Sequence, residues 1–474
     1  PAKTWKCFLR CRARQGAQGM SGWKFFLVTF GCKVNQYETQ SLREAWSTQG
    51  GEECEDPAGA DVTCINSCAI TAKGERDARN AVFRLRREAP AARIILTGCA
   101  TRLFARYVPR RGAIWAVPDV LVPQEKKDTL LRGPWADFSG DAAKADFPPF
   151  RISSFKRARP VLKVQDGCSH RCTYCIVPLT RGPHRSRPVA DIVAEAGRLL
   201  AAGHAEIMIS GINLSQYGRD AHTGDFWHLL QTLDTALAPE FAGRARLRIS
   251  SLEPGQLNPR GLDVLRSCAM LCPHVHISLQ HASQAVLKRM GRGHYTADML
   301  EQAVEGLSRH WPVMGLSADI IAGFPGETEE DLRLLLDLVE RLPLTDAHVF
   351  PYSRRPGTAA DSFDQHIPHA LKLERAQRIR AAVQRKHQDF LQKQLSLPLM
   401  HLALDSSSRG LRHKGGGQAL RGVNEYYAAC TVPAESAAGL SPDFSGLLRV
   451  SPTGCDHKGL TVRPTAAHTR QTPA

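Results

Sequence analysis

No apolar run in these 474 residues approaches the roughly 18 needed to cross a bilayer as a helix, so no membrane-spanning helix is expected. The first twenty residues are basic and hold no long apolar stretch, so they do not read as a secretory signal. Residues 1–22 read as an extension that fits nothing downstream, with Met20 as a candidate start. Acid is also scarce: 46 Asp and Glu stand against 62 Lys and Arg, a formal charge of +16. The shortage is sharpest from Phe150 to Pro188, where nine basic residues face only Asp166. A second basic stretch, Lys372 to Lys393, falls on an expected helix. The total charge alone fits a generally basic surface as well as a nucleic-acid partner; its clustering favours the polyanion. With 43% hydrophobic and 23% charged residues the chain is a folded one, and its length predicts two or three domains. The expected location is the cytoplasm, with no membrane partner.

Cysteine is the residue present in excess. There are fourteen, and in a reducing compartment thiols bind metal or do redox chemistry more readily than they form disulfides. Cys7, Cys11, Cys54, Cys268, Cys272, Cys430 and Cys455 follow no pattern and read as ordinary small hydrophobes or surface thiols. Three others do follow one. FFLVTF is followed by Gly31-Cys32, DVTCIN by Ser67-Cys68, and RIILT by Gly98-Cys99. Between these runs, Gln36–Thr48 and Glu75–Glu88 have helical periodicity. The alternation predicts a parallel βαβαβ sheet, whose ligands gather outside the carboxyl ends of its strands. Cys32, Cys68 and Cys99 would converge there, a donor set suited to an iron–sulfur cluster with one iron left open. Cys64 lies inside its strand and reads as core.

The strongest local signal is VLKVQDGCSHRCTYC, with Cys168, Cys172 and Cys175 in one compact loop after a strand. Three thiolates so close can hold three irons of a cubane and leave the fourth for a ligand. Structural zinc, with His170 or a distant cysteine as fourth ligand, is the competing reading, but zinc ribbons show two separated cysteine pairs and no second pair occurs nearby.

In order along the chain, GCKVNQYET (Gly31–Thr39), INSCAIT (Ile65–Thr71), ILTGCA (Ile95–Ala100) and GCSHRCTYCIVPLTRG (Gly167–Gly182) resemble the methylthiotransferase family of radical S-adenosylmethionine enzymes. The likeness runs from about Lys24 to Asp361. It implies an α/β chain: an N-terminal parallel-sheet methylthiotransferase domain at 23–135, a linker at 136–160, and a central partial (β/α)6 radical-SAM barrel at 161–366. A connecting helix at 367–398, a small TRAM-like β domain at 399–465 and a tail at 466–474 would follow. VLKVQD, AEIMISG, RLRISS, HVHISL, LSADIIAG and DAHVFPY read independently as six barrel strands. The TRAM-type barrel is the least legible part: HLALD, YAACTVP and GLLRVS look like strands and Gly415–Gly417 like a turn, with few basic residues.

The resemblance further implies two [4Fe–4S] clusters, one on Cys32, Cys68 and Cys99 and one, the radical-generating cluster, on Cys168, Cys172 and Cys175, together with S-adenosyl-L-methionine. Gly211, Asn213, Ser278, Gln280 and Asp319, at strand ends, are the candidates for touching that cofactor; each is equally a turn or cap residue. One S-adenosylmethionine would yield a 5′-deoxyadenosyl radical that removes a hydrogen atom from the substrate, and another would methylate the inserted sulfur. Relatives act on isopentenyl- or threonylcarbamoyl-adenosine beside the anticodon, or on a ribosomal-protein aspartate. GCKVNQYET and RGPHRSR (Arg181–Arg187) most resemble the branch that methylthiolates C2 of N6-threonylcarbamoyladenosine at tRNA position 37. Arg181, Arg185 and Arg187 are the candidate RNA contacts, and Arg185 could pair with the substrate carboxylate. The expected partners are a tRNA anticodon stem-loop and an electron donor such as flavodoxin or ferredoxin. A non-catalytic, zinc-stabilised RNA-binding protein is the alternative from a different class.

Overall fold

The computed structural model describes residues 22–104, 118–140, 147–220, 224–405, 419–437, 440 and 444–465. Residues 1–21 of the expected extension, the Gly415–Gly417 turn and the tail at 466–474 lie outside them. Among the described residues no helix is long and apolar enough to cross a membrane. They fall into two compact units, the first running to Phe150 apart from Ile70–Ala72, which group with the second.

The first unit is a five-stranded sheet. Its elements are β1 (Trp23–Thr29), α1 (Lys33–Thr48), β2 (Gly51–Glu53), β3 (Val62–Ser67), α2 (Ala72–Glu88), β4 (Arg93–Gly98), α3 (Thr101–Phe104) and β5 (Val120–Leu121). The strand order is β2-β1-β3-β4-β5 and every pairing is parallel. All six residues of β3 are buried, as a strand covered on both faces requires. Both long helices start a turn before their amphipathic pattern does, because the cysteine loops run directly into them; Cys32 itself occupies the N-cap of α1. The core of this unit holds Phe25, Tyr37 and Trp46, and a buried ion pair, Lys127 Nζ to Glu38 Oε2 at 2.5 Å, ties α1 to the segment after β5.

The second unit opens with β6 (Val161–Lys163), β7 (Gln165–Asp166), α4 (Val177–Arg181), β8 (Arg185–Ser186), α5 (Val189–Ala201) and β9 (Glu206–Ser210). It continues with α6 (Phe226–Phe241), β10 (Arg246–Ile249), α7 (Pro259–Ser267), β11 (His274–Gln280), α8 (Gln284–Arg289) and α9 (Ala297–His310). Then come β12 (Gly315–Ala322), α10 (Glu329–Arg341) and β13 (Asp346–Pro351). Two three-stranded parallel sheets, β10-β9-β6 and β11-β12-β13, are joined by the bridges Leu247↔Leu271 and Leu252↔Ile277. The result is the expected six-stranded partial barrel. The segment expected as one strand, VLKVQD, is divided: β6 enters the barrel, and β7 turns away to pair antiparallel with β8.

Helix α11 (His369–Gln394) is not a free basic face. Arg375 is buried against Glu327, Arg378 pairs with Glu329 and Arg385 with Glu340, and Arg380 donates to the Val349 carbonyl. Its charge braces the helix against the partial barrel.

The last strands, β14 (Met400–Leu404), β15 (Leu420–Val423), β16 (Ala429–Val432), β17 (Leu448–Asp456) and β18 (Gly459–Pro464), close a small barrel in the order β14-β15-β16-β18-β17. Alternate residues fill it, among them Leu402, Leu420, Cys430, Leu448, Val450 and Val462. The tip between β15 and β16 is shaped by Asn424, whose side chain accepts from the Tyr426 and Ala428 amides, and by Tyr427 at φ +70°. That tip lies at the amino ends of β9 and β10. Arg246 and Arg248 grip Glu206 between them and donate onward to the His401, Val423, Asn424 and Glu425 carbonyls. The Arg248 guanidinium lies 4.7 Å over the Tyr427 ring, which packs at 4.9 Å on His274.

Candidate active site

In the first unit β1, β3 and β4 are neighbours, so the loops after them are neighbours too. Gly31 has φ +88°, and a Cβ on it would fall 2.5 Å from Cys68 Sγ: the Cys32 loop lies directly on Cys68. Asn35 donates to the Phe30 and Ser67 carbonyls at 2.9 and 3.0 Å, the Cys99 amide to the Ser67 carbonyl at 3.1 Å, and the Ala100 amide to Ser67 Oγ at 3.2 Å. Cys68 and Cys99 are buried, and Cys32 is half-buried. Cys64 stays in the core, its thiol pushed up to about 12 by burial.

In the second unit Gly167, at φ +68°, lets the loop after β7 pass against Pro183, whose carbonyl would collide with any Cβ there. The Cys168 amide donates to the Gly182 carbonyl and the Cys175 amide to that of Cys172, both at 3.0 Å. Thr173 anchors the loop on the far side, through its amide to Met290 O and its hydroxyl to Arg289 O. None of the three cysteines is in a disulfide. Burial and then the neighbouring Cys172 and Cys168 push the Cys175 thiol up to about 12. A cationic group bound by these thiols would have to displace their protons.

Among the described residues only His276, Asp319 and His348 bring three donor atoms within 4.8 Å of one another. Zinc, with Zn–S bonds of about 2.3 Å, needs sulfurs about 3.8 Å apart.

Of the residues expected to touch the cofactor, Asn213 reaches the triad: its Nδ2 lies 3.6 Å from Cys168 Sγ and 3.2 Å from His170 Nδ1. Gly211 serves packing, since a Cβ there would fall 2.9 Å from Gln165 Cβ and Leu214 Cδ2. The Ser278 carbonyl accepts from Arg292 at 2.7 Å, and Gln280 follows a register shift in β11 with φ +62°. Both carboxylate oxygens of Asp319 are engaged by histidines, Oδ2 by His276 and Oδ1 by His348. Arg181 and Arg187, read from the sequence as RNA contacts, are buried and hold Asp166 and Glu195, each at 2.8 Å. As placed they build the loop and present no cation to a phosphate. Arg185 keeps about a third of its side chain exposed, 4.0 Å from Asp166.

Glu253 lies in SSLEP, a strand end that the barrel rule turns toward the cofactor, whereas Arg292 carries no signal in the sequence. Arg292 Nη1 lies 3.8 Å from Cys172 Sγ, and the same guanidinium is held by Glu253 at 2.5 and 3.2 Å. Gly291 and Arg292 follow α8, far along the chain from the triad, and no spacing rule links them to it. Beside this pair a cavity of about 500 Å³ is lined by His170, Tyr217, Trp227, Glu253, Arg260 and His294. Burial pushes the His170 and His294 imidazoles down. The volume suits a nucleoside-sized ligand.

The Radical SAM superfamily pattern matches residues 162–339, and that of uncharacterized protein family UPF0004 matches residues 24–111. The chain is 34% identical to the threonylcarbamoyladenosine tRNA methylthiotransferase MtaB of Bacillus subtilis, over 74% of this chain and 78% of that one. It is 33% identical to the protein of the same name from Chlamydia pneumoniae, over 86% and 91%. To the tRNA-2-methylthio-N(6)-dimethylallyladenosine synthase of Agrobacterium fabrum it is 32% identical, over 79% and 85%. The radical S-adenosylmethionine methyltransferase TsrM of Kitasatospora setae, solved with cobalamin and a [4Fe–4S] cluster, shares the fold at TM-score 0.52 and 18% identity, over 72% of this chain and 77% of that one.

Proposed function

The chain belongs to the radical S-adenosylmethionine tRNA methylthiotransferases, transferases that act on tRNA, and on that premise we propose that its substrate is N6-threonylcarbamoyladenosine at position 37, methylthiolated at C2. The observation that carries the substrate is the run of five relatives named for it at 32–35% identity. Two relatives named for dimethylallyladenosine, at 30–32%, support N6-isopentenyladenosine as the second reading.

The family implies a [4Fe–4S] cluster and S-adenosylmethionine; we place the cluster on Cys168, Cys172 and Cys175, and a second on Cys32, Cys68 and Cys99. When bound, the first supplies the electron that cleaves S-adenosylmethionine to the hydrogen-abstracting radical; the second supplies the site of sulfur transfer. The protein's own residues then set the environment. Asn213 and Arg292 donate toward Cys168 and Cys172 sulfurs, which steadies thiolate charge on the cluster ligands. Glu253 fixes the direction of Arg292, and His170 and His294 line the cavity. An electron donor such as flavodoxin or ferredoxin would complete the system. The expected domain limits, 23–135, 161–366 and 399–465, are carried into this reading.

The test is nucleoside mass spectrometry of anticodon stem-loops carrying threonylcarbamoyl or isopentenyl groups, after anaerobic reaction with the reconstituted protein. The 2-methylthio product is expected on the first; product on the second alone overturns the proposed substrate. Arg185→Ala is expected to lower kcat/KM on the threonylcarbamoyl RNA by about 10-fold, the effect of one charge-assisted contact to a carboxylate.

A further inference from the structure

On β11, β12 and β13 the face turned away from the helices is polar. Residues paired across parallel strands share a face, and His276↔Ser317 and Asp319↔His348 are both such pairs. The alternate residues Val275, Ile277 and Leu279 are buried on the other side. On the polar face a hydrogen-bonded row crosses all three strands. Ser317 Oγ lies 3.1 Å from His274 Nε2 and 2.8 Å from His276 Nδ1. His276 Nε2 lies 3.2 Å from Asp319 Oδ2, and His348 Nδ1 lies 3.1 Å from Asp319 Oδ1.

A neutral His276 sets one proton order along the row. His274 donates to Ser317, Ser317 donates to His276, and His276 and His348 each donate to one oxygen of Asp319. Asp319 is held well below the usual carboxylate range: burial opposes this, and the hydrogen bonds from His276 and His348 overcome it. An ionised carboxylate fixes both rings by their inner nitrogens. Exposure then rises along the row, with 8% of the His276 side chain exposed, 26% of Asp319 and 56% of His348. Next to His348 on the same face is Phe350, 42% exposed, its ring centroid 6.2 Å from the imidazole. Large apolar rings left this open beside a fixed polar group are the components of a base-binding platform.

The row is tied to the cysteine site. His276 is two residues before Ser278, whose carbonyl accepts from the same Arg292 that reaches Cys172 Sγ. Phe350 is one residue from the carboxyl end of β13, the end of a barrel strand at which chemistry is done.

We infer that Phe350 and His348 form the specificity subsite for the modified adenosine: Phe350 stacks on the purine, and His348, oriented by Asp319 and His276, hydrogen-bonds an oxygen of the N6 substituent. This rests on the threonylcarbamoyl reading and deepens it. A threonylcarbamoyl group offers carbonyl, hydroxyl and carboxylate oxygens, whereas an isopentenyl group offers none and would bury the imidazole against hydrocarbon. A site built to hydrogen-bond its substrate rejects the analogue that lacks the partner, because its own polar group is then desolvated without return.

The experiment compares wild type, His348→Phe, His348→Gln and Phe350→Ala on stem-loops carrying threonylcarbamoyl-, isopentenyl- or unsubstituted adenosine, with iron content as the check on folding. His348→Phe is expected to lower the threonylcarbamoyl-to-isopentenyl ratio of kcat/KM by about 10- to 100-fold, mainly through KM. His348→Gln, which keeps a hydrogen-bonding group, is expected to recover most of that ratio. Phe350→Ala should weaken all three RNAs alike. A His348→Phe ratio equal to wild type, in a wild type active on the threonylcarbamoyl RNA, overturns the inference and leaves the substrate reading standing. A wild type active only on isopentenyl RNA overturns the substrate reading, and the inference with it.

Discussion

Replacing Cys168, Cys172 and Cys175 together by alanine is expected to halve the iron and sulfide of the anaerobically reconstituted protein, from about eight atoms of each to about four, and to abolish S-adenosylmethionine cleavage. The two triads lie in separate compact units, each with its own hydrogen bonds holding its loops, so loss of one donor set leaves the other intact. The complementary replacement of Cys32, Cys68 and Cys99 should remove the remaining four irons and stop methylthiolation, while reductive cleavage of S-adenosylmethionine continues. Cys64→Ala is the internal control: that thiol is buried within β3, and iron content should not change. A loss confined to one triad's variant separates a ligand from a core cysteine better than any activity assay. Stoichiometric zinc without sulfide in the wild type would overturn the cluster assignment and return the chain to a zinc-stabilised RNA binder.

Cys32, Cys68 and Cys99 are legible as residues that follow strands, and Cys168, Cys172 and Cys175 as one close-spaced loop, because both placements survive in a linear sequence. The six barrel strands were legible for a similar reason, since apolar runs separated by amphipathic helices leave little choice of topology. Charge was not. The basic stretch from Phe150 to Pro188 looks like a continuous surface, yet Lys163 and Arg181 converge on Asp166, Arg187 on Glu195, and Arg159 on Asp405. Three of those partners lie from eight to some 250 residues away, so only the fold reveals which cations remain available to RNA. In the C-terminal barrel, β15 and β18 escaped the reading because LRGV and GLTVRP are short, glycine-containing and half exposed, and only their pairing, β15 with β16 and β18 with β17, marks them as strands. The His276–Asp319–His348 row escaped for the same reason: its members lie on three strands, and their alternation marks only that one face is polar.

Glu206→Gln is expected to destabilise the second unit by about 3–5 kcal/mol, the cost of removing one partner from a buried ionic group. Glu206 is fully buried at the first position of β9, and its carboxylate is the shared counter-ion of Arg246 and Arg248, at 2.6 and 2.7 Å. A glutamine keeps the shape and one acceptor oxygen, takes the carboxylate from the buried Arg248, and leaves Arg246 only Glu425 Oε2 at 3.9 Å. The same guanidiniums hold the tip of the small barrel through four backbone carbonyls, so loosening them should also free that barrel from the partial barrel. Denaturant melts would report the first effect, and limited proteolysis between β13 and β14 the second. The wild type should carry a pH signature that the variant lacks. Burial alone would raise the Glu206 carboxyl, but Arg248 and then Arg246 hold it far below the ordinary glutamate range. Its contribution is therefore fully present above the unfolded value of about 4.3 and is lost as pH falls from there toward the depressed folded value. Wild-type stability should drop more steeply than that of Glu206→Gln below about pH 4, and parallel curves would show that the carboxylate is not the counter-ion that holds the two barrels together.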